Sequence, residues 1–540
     1  MQSEFQSTMD GLDPSYWEKP LAQAIVEALC HDPKRTVLID CAQDPRVWTA
    51  SQVLALSYAL AKRWNVWDEL RVGVVLPPGL LGMVANLGLI LAGKVPVNLN
   101  FTASASAIQF AMESAGIERI ISTDVMVAQF QDFPWPEVII DLKDLLEALP
   151  RVELGAIMGL MRFTPTEVLK RLWDLPLAKG DDEAILLFTS GSDGQPKGVS
   201  LTHRNLLANC DQIHASTVLP DGIRVLSALP LFHSFGFTVT MLYPVLKHAT
   251  AVSVTSPLEL KKIETVIKEH RVEVLVGTPT LFRPYLKRVS PEALRTVRYV
   301  VAGAEKTQKG LHEQWEAAFG SFYLEGYGLT ETTPVVSVNL PDLPNQVRTR
   351  SGSVGKLFPG MRARAVHPQT LEPLALGAVG LVELQGPNVF GGYFQDPERT
   401  QRAFHDGWFV TGDLGYLDTD GFLYIEGRLS RFSKIAGEMV PHGVLESALM
   451  DLDVWSGAET SAYAITAIED AARGESIVLL SVEAVELERV RKHLIQQGIP
   501  ALWHPRHVLQ VAVIPTLASG KLDLDGCRRA AQELLLNQLS

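Results

Sequence analysis

The chain has 540 residues and a formal net charge of −13, with 47% hydrophobic and 20% charged residues, as in ordinary globular proteins. This negative balance argues against a protein whose main work is to hold nucleic acid, because that work needs a dense basic surface. The length predicts two or more domains, and the four scattered cysteines form no CxxC pair, which argues against a zinc site or a disulfide scaffold.

The N-terminal run Met-Gln-Ser-Glu-Phe carries an acidic residue instead of the basic and apolar regions of a secretory signal, so we expect a cytoplasmic protein with reduced thiols. Apolar periodicity then predicts strands at residues 36–39 and 72–76 and helices at residues 53–64 and 80–92. This alternation of strands and helices predicts an α/β fold, with a large layered N-terminal domain of mainly parallel sheets.

Two apolar segments need a separate interpretation. Residues 80–93 are the most apolar, but they are shorter than the roughly 18 residues that a membrane span requires, so we expect a buried core helix. Residues 152–175 mix apolar side chains with Arg162, Lys170 and Arg171. They predict either a surface helix that touches a membrane or, as we favour, a connecting segment that covers the core.

Residues 184–198 change from a buried-strand pattern into hydroxyls, glycines and one lysine. Glycines let a backbone wrap closely around a phosphate chain, while hydroxyls and backbone N–H groups donate hydrogen bonds to it. An ordinary strand-to-loop turn is the alternative. We predict that the loop binds a nucleotide triphosphate through Thr189, Ser190, Gly191, Ser192, Gly194 and Lys197.

The loop is not a Walker-type phosphate loop, because Pro196 stands where that motif needs its second glycine and Gly198 stands where it needs Ser or Thr. It closely resembles the signature loop of the adenylate-forming, or AMP-binding, acyl ligases. Asp193 departs from that signature, in which Thr is more usual. The resemblance implies an enzyme that uses ATP and Mg²⁺ to convert a carboxylic acid into an acyl-adenylate.

The apolar run at residues 227–236 precedes a predicted helix at residues 237–246. A histidine in such surroundings is more often a core residue than a catalyst, but the resemblance implies that His233 gates the acyl pocket and orients the carboxylate. Amino-acid-activating relatives place an Asp here, because a buried ammonium group without a partner is costly. We therefore expect a plain carboxylic acid with an apolar tail, in a pocket formed by His233, Phe237, Val276, Gly277 and Ala302.

Two β-branched runs, at residues 272–276 and 297–301, predict buried parallel strands that end in loops. In α/β sheets, ligands bind at the carboxyl ends of the strands. The second loop resembles the family segment that lies along the adenine, and this assigns Gly303, Ala304 and Glu305 to nucleotide binding.

A second nucleotide motif centres on a tyrosine between two glycines. Tyr327 can stack on a base, Thr330 can donate to a phosphate oxygen, and Glu331 can hold Mg²⁺ through its carboxylate. Together they closely resemble the adenine-and-magnesium motif of the family. Asp413 resembles the carboxylate that accepts both ribose hydroxyls, with a turn aspartate as the alternative, and we also assign Arg428 to the nucleotide site.

The run that follows resembles the interdomain hinge of the family, with Ser430 where Asp or Lys is usual. The resemblance also implies that Gly437 frames a channel for the thiol acceptor. Lys521, which follows Ser-Gly, resembles the catalytic lysine of the adenylation step. We therefore divide the chain into an N-terminal adenylation domain (1–426), a hinge (427–431) and a small mobile α/β domain (432–540).

Within the family the resemblance is closest to acyl–acyl carrier protein synthetases, of the kind that bifunctional bacterial acyltransferases contain. It implies that a fatty acyl group passes to the phosphopantetheine thiol of acyl carrier protein, with Lys521, His233, Thr330 and Glu331 as catalytic residues. A fatty acyl-CoA ligase is the alternative enzyme. The alternative to an enzyme is a sensor that binds a nucleotide and an acyl group without turnover. Peripheral contact with the inner face of a membrane stays open.

Overall fold

The computed structural model describes residues 4–190, 195–216, 219–308, 310–435, 438–450, 452–455, 462–470, 474–516 and 522–539. Their strands form four sheets, of nine, six, six and five strands. Helices cover these sheets and connect their parallel strands. The α/β class predicted from the sequence is confirmed.

The nine-stranded sheet is parallel through six neighbouring strands, as its β-branched runs predict. Antiparallel strands complete both edges. In spatial order its strands are Lys356–Leu357, Val335–Val338, Phe322–Gly328, Tyr299–Ala302, Val274–Gly277, Arg224–Ser227, Thr250–Ser253, Thr36–Asp40 and Arg46–Thr49.

The parallel six-stranded sheet has five parallel strands and one antiparallel edge strand. Its last two strands are joined by the predicted phosphate loop. In spatial order its strands are Val138–Asp141, Arg119–Ser122, Arg71–Val74, Val95–Asn98, Glu183–Ser190 and Pro196–Thr202.

The other two sheets are mainly antiparallel, which the periodicity of the first 180 residues does not predict. The antiparallel six-stranded sheet contains Glu4–Gln6, Arg362–Val366, Gly380–Gln385, Trp408–Leu417 and Phe404–His405, with Leu423–Arg428 paired to Trp408–Leu417. The C-terminal sheet contains Glu438–Pro441, Phe432–Ile435, Gly474–Ser481 and Tyr463–Asp470, with His507–Gln510 paired to Gly474–Ser481.

Polar caps start several of the helices. Thr49 and Gln52 form a reciprocal capping box at the start of one helix, and Thr202 and Asn205 form another. The α-helices are Pro14–Trp17, Leu21–His31, Ala50–Trp64, Leu80–Leu91, Ala105–Ala115, Asp124–Gln129, Leu142–Glu147, Arg151–Phe163, Thr166–Leu172, His203–Ala215, Tyr243–Leu246, Leu260–His270, Pro279–Phe282, Tyr285–Arg288, Leu311–Phe319, Pro397–Ala403, His442–Leu449, Leu487–Gln496 and Leu524–Leu539. A π-helix covers Phe235–Leu242, and 3₁₀ turns cover Thr330–Thr332, Leu429–Arg431, Asp453–Trp455 and Ala501–Trp503.

The most apolar segment forms helix Leu80–Leu91, which is buried from its third residue onward. The carboxylate of Asp40 accepts a hydrogen bond from the backbone N–H of Leu80 at 2.9 Å and satisfies one free donor at the start of the helix. The expected core helix is confirmed. In the described part of the chain, no helix combines the length and the apolar character that crossing a membrane requires.

Candidate active site

The two nucleotide motifs predicted from the sequence meet in the structure. Lys197 lies on edge strand Pro196–Thr202, and Glu331 lies in the 3₁₀ turn that follows strand Phe322–Gly328 of the nine-stranded sheet. The Nζ atom of Lys197 lies 2.6 Å from Oε1 of Glu331. This ion pair connects the phosphate loop to the turn that carries the predicted magnesium ligand.

Tyr393 is a third member of this contact, and sequence reasoning missed it. Its hydroxyl donates to Oε1 of Glu331 at 2.8 Å and accepts from Nζ of Lys197 at 3.1 Å. The backbone N–H of Tyr393 donates to the hydroxyl of Thr400 at 2.8 Å, which anchors the loop. The only signal in the sequence was a Gly-Gly-Tyr run, which resembles the glycine-flanked setting of Tyr327.

The charge state of Glu331 follows from its surroundings. The residue is 4% exposed, and burial by itself raises the pKa of its carboxyl group. The positive charge of Lys197 and the hydrogen bonds from Lys197 and Tyr393 act in the opposite direction and bring the pKa below its ordinary value. Glu331 is therefore a carboxylate at neutral pH, although it is almost completely buried.

A second polar cluster joins Tyr327, Asp413 and Arg428. The hydroxyl of Tyr327 donates to one oxygen of Asp413 at 2.5 Å, and Nε of Arg428 lies 2.9 Å from the other. Asp413 and Arg428 are register partners on neighbouring strands, which positions both side chains. Burial raises the pKa of Asp413 above its usual value, although Arg428 opposes this shift. The carboxylate of Asp413 therefore contacts one protein donor at each of its two oxygens.

The loop predicted to lie along the adenine follows strand Tyr299–Ala302. Ala304 has a φ of +67°, in the left-handed region that few non-glycine residues adopt. The carboxylate of Glu305 accepts from the hydroxyl of Thr280 at 2.6 Å and from its backbone N–H at 3.3 Å. Glu305 therefore ties two loops at the carboxyl ends of neighbouring strands together. Gly303, at the start of the loop, is buried.

The acyl motif lies beside the nucleotide motifs. His233 is exposed, and its ring centroid lies 4.6 Å from that of Phe232. The π-helix Phe235–Leu242 begins two residues later, and single π turns often occur at functional sites. A Cβ on Gly236 would lie 2.3 Å from the carbonyl oxygen of Pro230, so only glycine fits there.

A further contact links this motif to the 3₁₀ turn that carries Glu331, because the hydroxyl of Ser234 donates to that of Thr330 at 3.4 Å. The same segment therefore carries His233 and contacts the predicted phosphate ligand. The residue next to His233 in the chain therefore touches Thr330, although the two motifs are far apart in the sequence.

The residues predicted for the tail pocket do not line one wall. Gly277 and Ala302 are register partners in neighbouring parallel strands, so the side chain of Val276 projects from the opposite face to that of Ala302. Phe237 and Val276 belong to the largest hydrophobic cluster, whereas Ala302 belongs to a second one. We correct the shared pocket accordingly: Phe237 and Val276 lie on one side of the sheet and Ala302 on the other.

The predicted hinge covers two kinds of structure. Gly427 and Arg428 complete strand Leu423–Arg428, and residues 429–431 form a 3₁₀ turn in which Ser430 is exposed. The C-terminal sheet begins at Phe432, directly after this turn. The residues Gly191, Ser192, Asp193, Gly194, Gly437 and Lys521 lie outside the described part of the chain, as does the side chain of Ser190.

The AMP-binding enzyme family matches residues 27–394, which is more than half of the chain and includes both nucleotide motifs. A long-chain-fatty-acid–CoA ligase of Salmonella typhimurium is 28% identical over 440 residues, 76% of each chain. A sulfoacetate–CoA ligase of Cupriavidus necator is 34% identical over 361 residues, 64% of this chain and 67% of the relative.

The fold has matches among solved structures. ATP-bound MatB from Rhodopseudomonas palustris superposes with a TM-score of 0.76 at 23% identity, covering 95% of this chain and 99% of its own. The curated relatives above are named as CoA ligases, so the narrower resemblance to acyl carrier protein synthetases is not shown by these matches. What the matched region and the joined motifs establish together is that the chain belongs to the AMP-binding enzyme family.

Proposed function

We propose that the protein activates a fatty acid with ATP to an acyl-adenylate and transfers the acyl group to the phosphopantetheine thiol of acyl carrier protein. In general terms, the proposed reaction is adenylation of a carboxylic acid followed by thioester formation. This reaction agrees with the family and with relatives named as CoA ligases. The observation that carries the proposal is the 2.6 Å contact of Lys197 with Glu331, which joins the phosphate loop to a buried carboxylate.

The residues present suit ATP and its metal. Mg²⁺ in proteins is commonly bound by one or two carboxylates together with substrate phosphates, and Glu331 is a buried carboxylate beside the phosphate loop. The buried hydroxyl of Thr189 has no hydrogen-bond partner among the described residues, so it is a donor available to a phosphate oxygen. When bound, Mg²⁺ would supply positive charge that neutralises the phosphate oxygens.

The protein residues divide the binding work. Lys197 and the hydroxyls of Thr189 and Thr330 would bind the phosphates, together with the loop from Ser190 to Gly194. Tyr327 would stack on the base and Asp413, oriented by Arg428, would accept the ribose hydroxyls. The loop of Gly303, Ala304 and Glu305 would lie along the adenine edge.

The proposed chemistry has two steps. A carboxylate oxygen of the acid attacks the α-phosphorus of ATP, the bond to the pyrophosphate oxygen breaks, and acyl-adenylate and pyrophosphate form. The acceptor's sulfur then attacks the acyl carbonyl carbon, the thiol loses its proton, and AMP leaves. Positioning and charge neutralisation account for catalysis in the first step, with Lys521 as the mobile cation and His233 orienting the carboxylate.

The two steps would share one site. A small domain of residues 432–540 would turn about the hinge 427–431, withdrawing Lys521 and opening a channel framed by Gly437. The 3₁₀ turn at residues 429–431, in which Ser430 is exposed, is the segment whose backbone angles would change. A small serine side chain is compatible with several backbone states.

The identity of the acid and of the thiol acceptor is the most specific part of the proposal. The acyl motif carries His233 where amino-acid-activating relatives carry an Asp, which favours an acid without an ammonium group. Acyl carrier protein as the acceptor rests on the sequence of residues 432–440, whereas CoA as the acceptor fits the names of the relatives equally well. We propose a cytoplasmic enzyme.

The test supplies ATP, Mg²⁺ and fatty acids from short to long, with purified acyl carrier protein and CoA in parallel reactions. We expect pyrophosphate release with at least one acid and thioester on the carrier protein. Thioester on CoA alone would replace the acceptor and leave the first step intact. If no acid releases pyrophosphate, the enzyme is excluded and a nucleotide- and acyl-binding sensor becomes the better interpretation.

A further inference from the structure

One segment of the protein packs on the hydrophobic core and also exposes several large apolar side chains to solvent. The segment consists of helices Arg151–Phe163 and Thr166–Leu172 and the chain that follows to Leu177; we call it the 151–177 segment. The buried side chains of Ile157, Met161 and Leu169 attach its inner face to the largest hydrophobic cluster.

Ion pairs hold the same segment in place. The carboxylate of Glu153 lies 2.9 Å from a guanidinium nitrogen of Arg63 and 3.2 Å from Nζ of Lys62. Nζ of Lys170 lies between the carboxylates of Glu27 and Glu167, at 2.5 and 2.6 Å. The outer face of the segment therefore belongs to a fixed part of the fold.

The outer face carries large apolar side chains in solvent. Val152 is 84% exposed, Phe163 is 80% exposed and Leu177 is 88% exposed. In the first helix the outward residues follow at positions 152, 156, 160 and 163, which lie along one side of an α-helix. The exposed large apolar residues of the segment are Val152, Leu160, Phe163, Val168, Leu172 and Leu177.

Two glycines flatten this face. A Cβ built on Gly155 or Gly159 would meet no atom within 4 Å, so both open directly into space. Between the larger side chains, the backbone of the helix is thus accessible to a partner. Several large apolar side chains exposed on one short segment indicate an interaction site, because monomeric proteins rarely leave large apolar patches in solvent.

Three exposed arginines lie along the segment. Arg151, Arg162 and Arg171 are exposed and form no ion pair with another residue in the described part of the chain. The guanidinium of Arg162 lies 5.4 Å from the ring centroid of Phe163, so charge and apolar surface are adjacent. Of the acids in the segment, Glu153 and Glu167 are held in ion pairs and Asp174 is exposed. The charges of the segment outside its ion pairs are therefore mainly basic, although the whole chain has a formal net charge of −13.

We propose that the 151–177 segment docks the protein on an anionic lipid surface, with Val152, Phe163 and Leu177 entering the headgroup boundary. Interfacial binding of an amphipathic helix combines apolar burial with attraction of basic residues to anionic lipids, and both components are present here. The three arginines contribute the charge complementarity. They also disfavour a second copy of the chain as the occupant, because pairing two such faces would bring like charges together.

The position of the segment also disfavours a protein that delivers a thiol to the active site. After Leu177 the chain enters strand Glu183–Ser190 at its first residue, whereas the phosphate loop follows the last residue of that strand. An eight-residue strand separates its two ends by roughly 25 Å. The proposed lipid surface is thus distinct from the nucleotide site, and the inference does not rest on the proposed reaction.

The test measures co-flotation of the full-length protein with vesicles of phosphatidylcholine alone or of phosphatidylcholine mixed with phosphatidylglycerol. We expect binding to the mixed vesicles and at least a tenfold loss in the double variant Val152→Ser, Phe163→Ser. The matched control is Leu258→Ser, Val513→Ser, which removes two similarly exposed apolar side chains, 77% and 71% exposed, from other surfaces. Arg162→Gln should weaken binding to the anionic vesicles about fivefold.

A second measurement locates the contact. A fluorophore sensitive to polarity, attached at Phe163→Cys, should shift to shorter wavelength on the mixed vesicles, and the same label at Leu258→Cys should not. Equal flotation of the two double variants, or failure of the unmodified protein to float, would overturn the proposal. So would a dimer in vesicle-free solution that Val152→Ser, Phe163→Ser dissociates, because a second copy would then be the occupant.

Discussion

Lys197 and Glu331 are 134 positions apart in the sequence, yet their side-chain charges meet at 2.6 Å where two sheets adjoin. A buried carboxylate needs a cation or strong donors, and here Lys197 and Tyr393 provide them. Under the proposed function, Lys197 passes from Glu331 to a phosphate when the nucleotide and its metal bind. In that proposal the pair keeps Glu331 ionised before ATP arrives.

The first prediction concerns the carboxylate itself. The substitution Glu331→Gln removes the negative charge that would bind the metal. We expect pyrophosphate release to fall by about 100-fold or more. The control is Glu69→Gln, which breaks a comparable ion pair with Arg119 away from the site. Similar activity losses in both variants would contradict a special role for Glu331.

The second prediction tests the tyrosine that the sequence did not reveal. Tyr393→Phe keeps the ring but removes the hydroxyl that donates to Glu331 at 2.8 Å. Losing a hydrogen bond to a charged group costs about 2 kcal/mol, so we expect kcat/KM for ATP to fall by about tenfold or more. Steady-state kinetics would show this, with Tyr424→Phe as the control because its hydroxyl bonds to Asp418 outside the site.

A third prediction separates the two proposed half-reactions. Lys521→Ala should abolish ATP–pyrophosphate exchange, because the cation that neutralises the transferring phosphate is lost. Conversion of pre-made acyl-adenylate to thioester should remain largely intact, because Lys521 would have left the site by then. Loss of both activities to the same extent would contradict this role.

The fourth prediction is a pH dependence of stability in the large domain. Burial lowers the pKa of His203 to about 4, and its Nδ1 accepts a hydrogen bond from the backbone N–H of Leu21 at 3.0 Å. The neutral form is therefore favoured in the folded state. As pH falls from about 6.5 to about 4, the unfolded chain takes up a proton that the folded chain does not, so stability declines with falling pH in that window.

The measurement for this prediction is the apparent Tm between pH 4 and pH 7. The shift from 6.5 to about 4 corresponds to roughly 3 kcal/mol at the acid end. His203→Gln keeps an acceptor but does not titrate. At pH 7 its Tm should be lower than that of the unmodified protein, and it should decline less steeply as the pH falls. An unchanged slope in this variant would show that other groups control the acid response.

The fifth prediction concerns the strand that leads to the 3₁₀ turn of Glu331. A Cβ on Gly328 would lie 1.7 Å from the carbonyl oxygen of Pro334, so Gly328→Ala must displace backbone next to Thr330 and Glu331. We expect about 1–3 kcal/mol of destabilisation and loss of nucleotide binding. The control is Gly443→Ala, in which the new Cβ meets no atom within 4 Å. Thermal unfolding should show that the stability of this variant is unchanged or slightly raised.

Much of the chemistry was predictable from local sequence. The strand before Thr189, the glycine-flanked Tyr327 and the carboxylate of Glu331 all lie in short runs whose residue types define what they can bind. Helix Leu80–Leu91 and the parallel strands of the first 180 residues were also predictable, because burial on all sides leaves a continuous apolar pattern. The separation of Val276 from Ala302 was not predictable, because it depends on strand register.

The sequence by itself determined the α/β class, the two nucleotide motifs and the family resemblance, because each depends on residues that are neighbours along the chain. Only the tertiary structure decided that Tyr393 joins Lys197 and Glu331 and that the outer face of the 151–177 segment stays in solvent. The physical reason is that the charge state of a carboxylate and the exposure of an apolar side chain depend on what packs against them, and those partners come from distant parts of the chain.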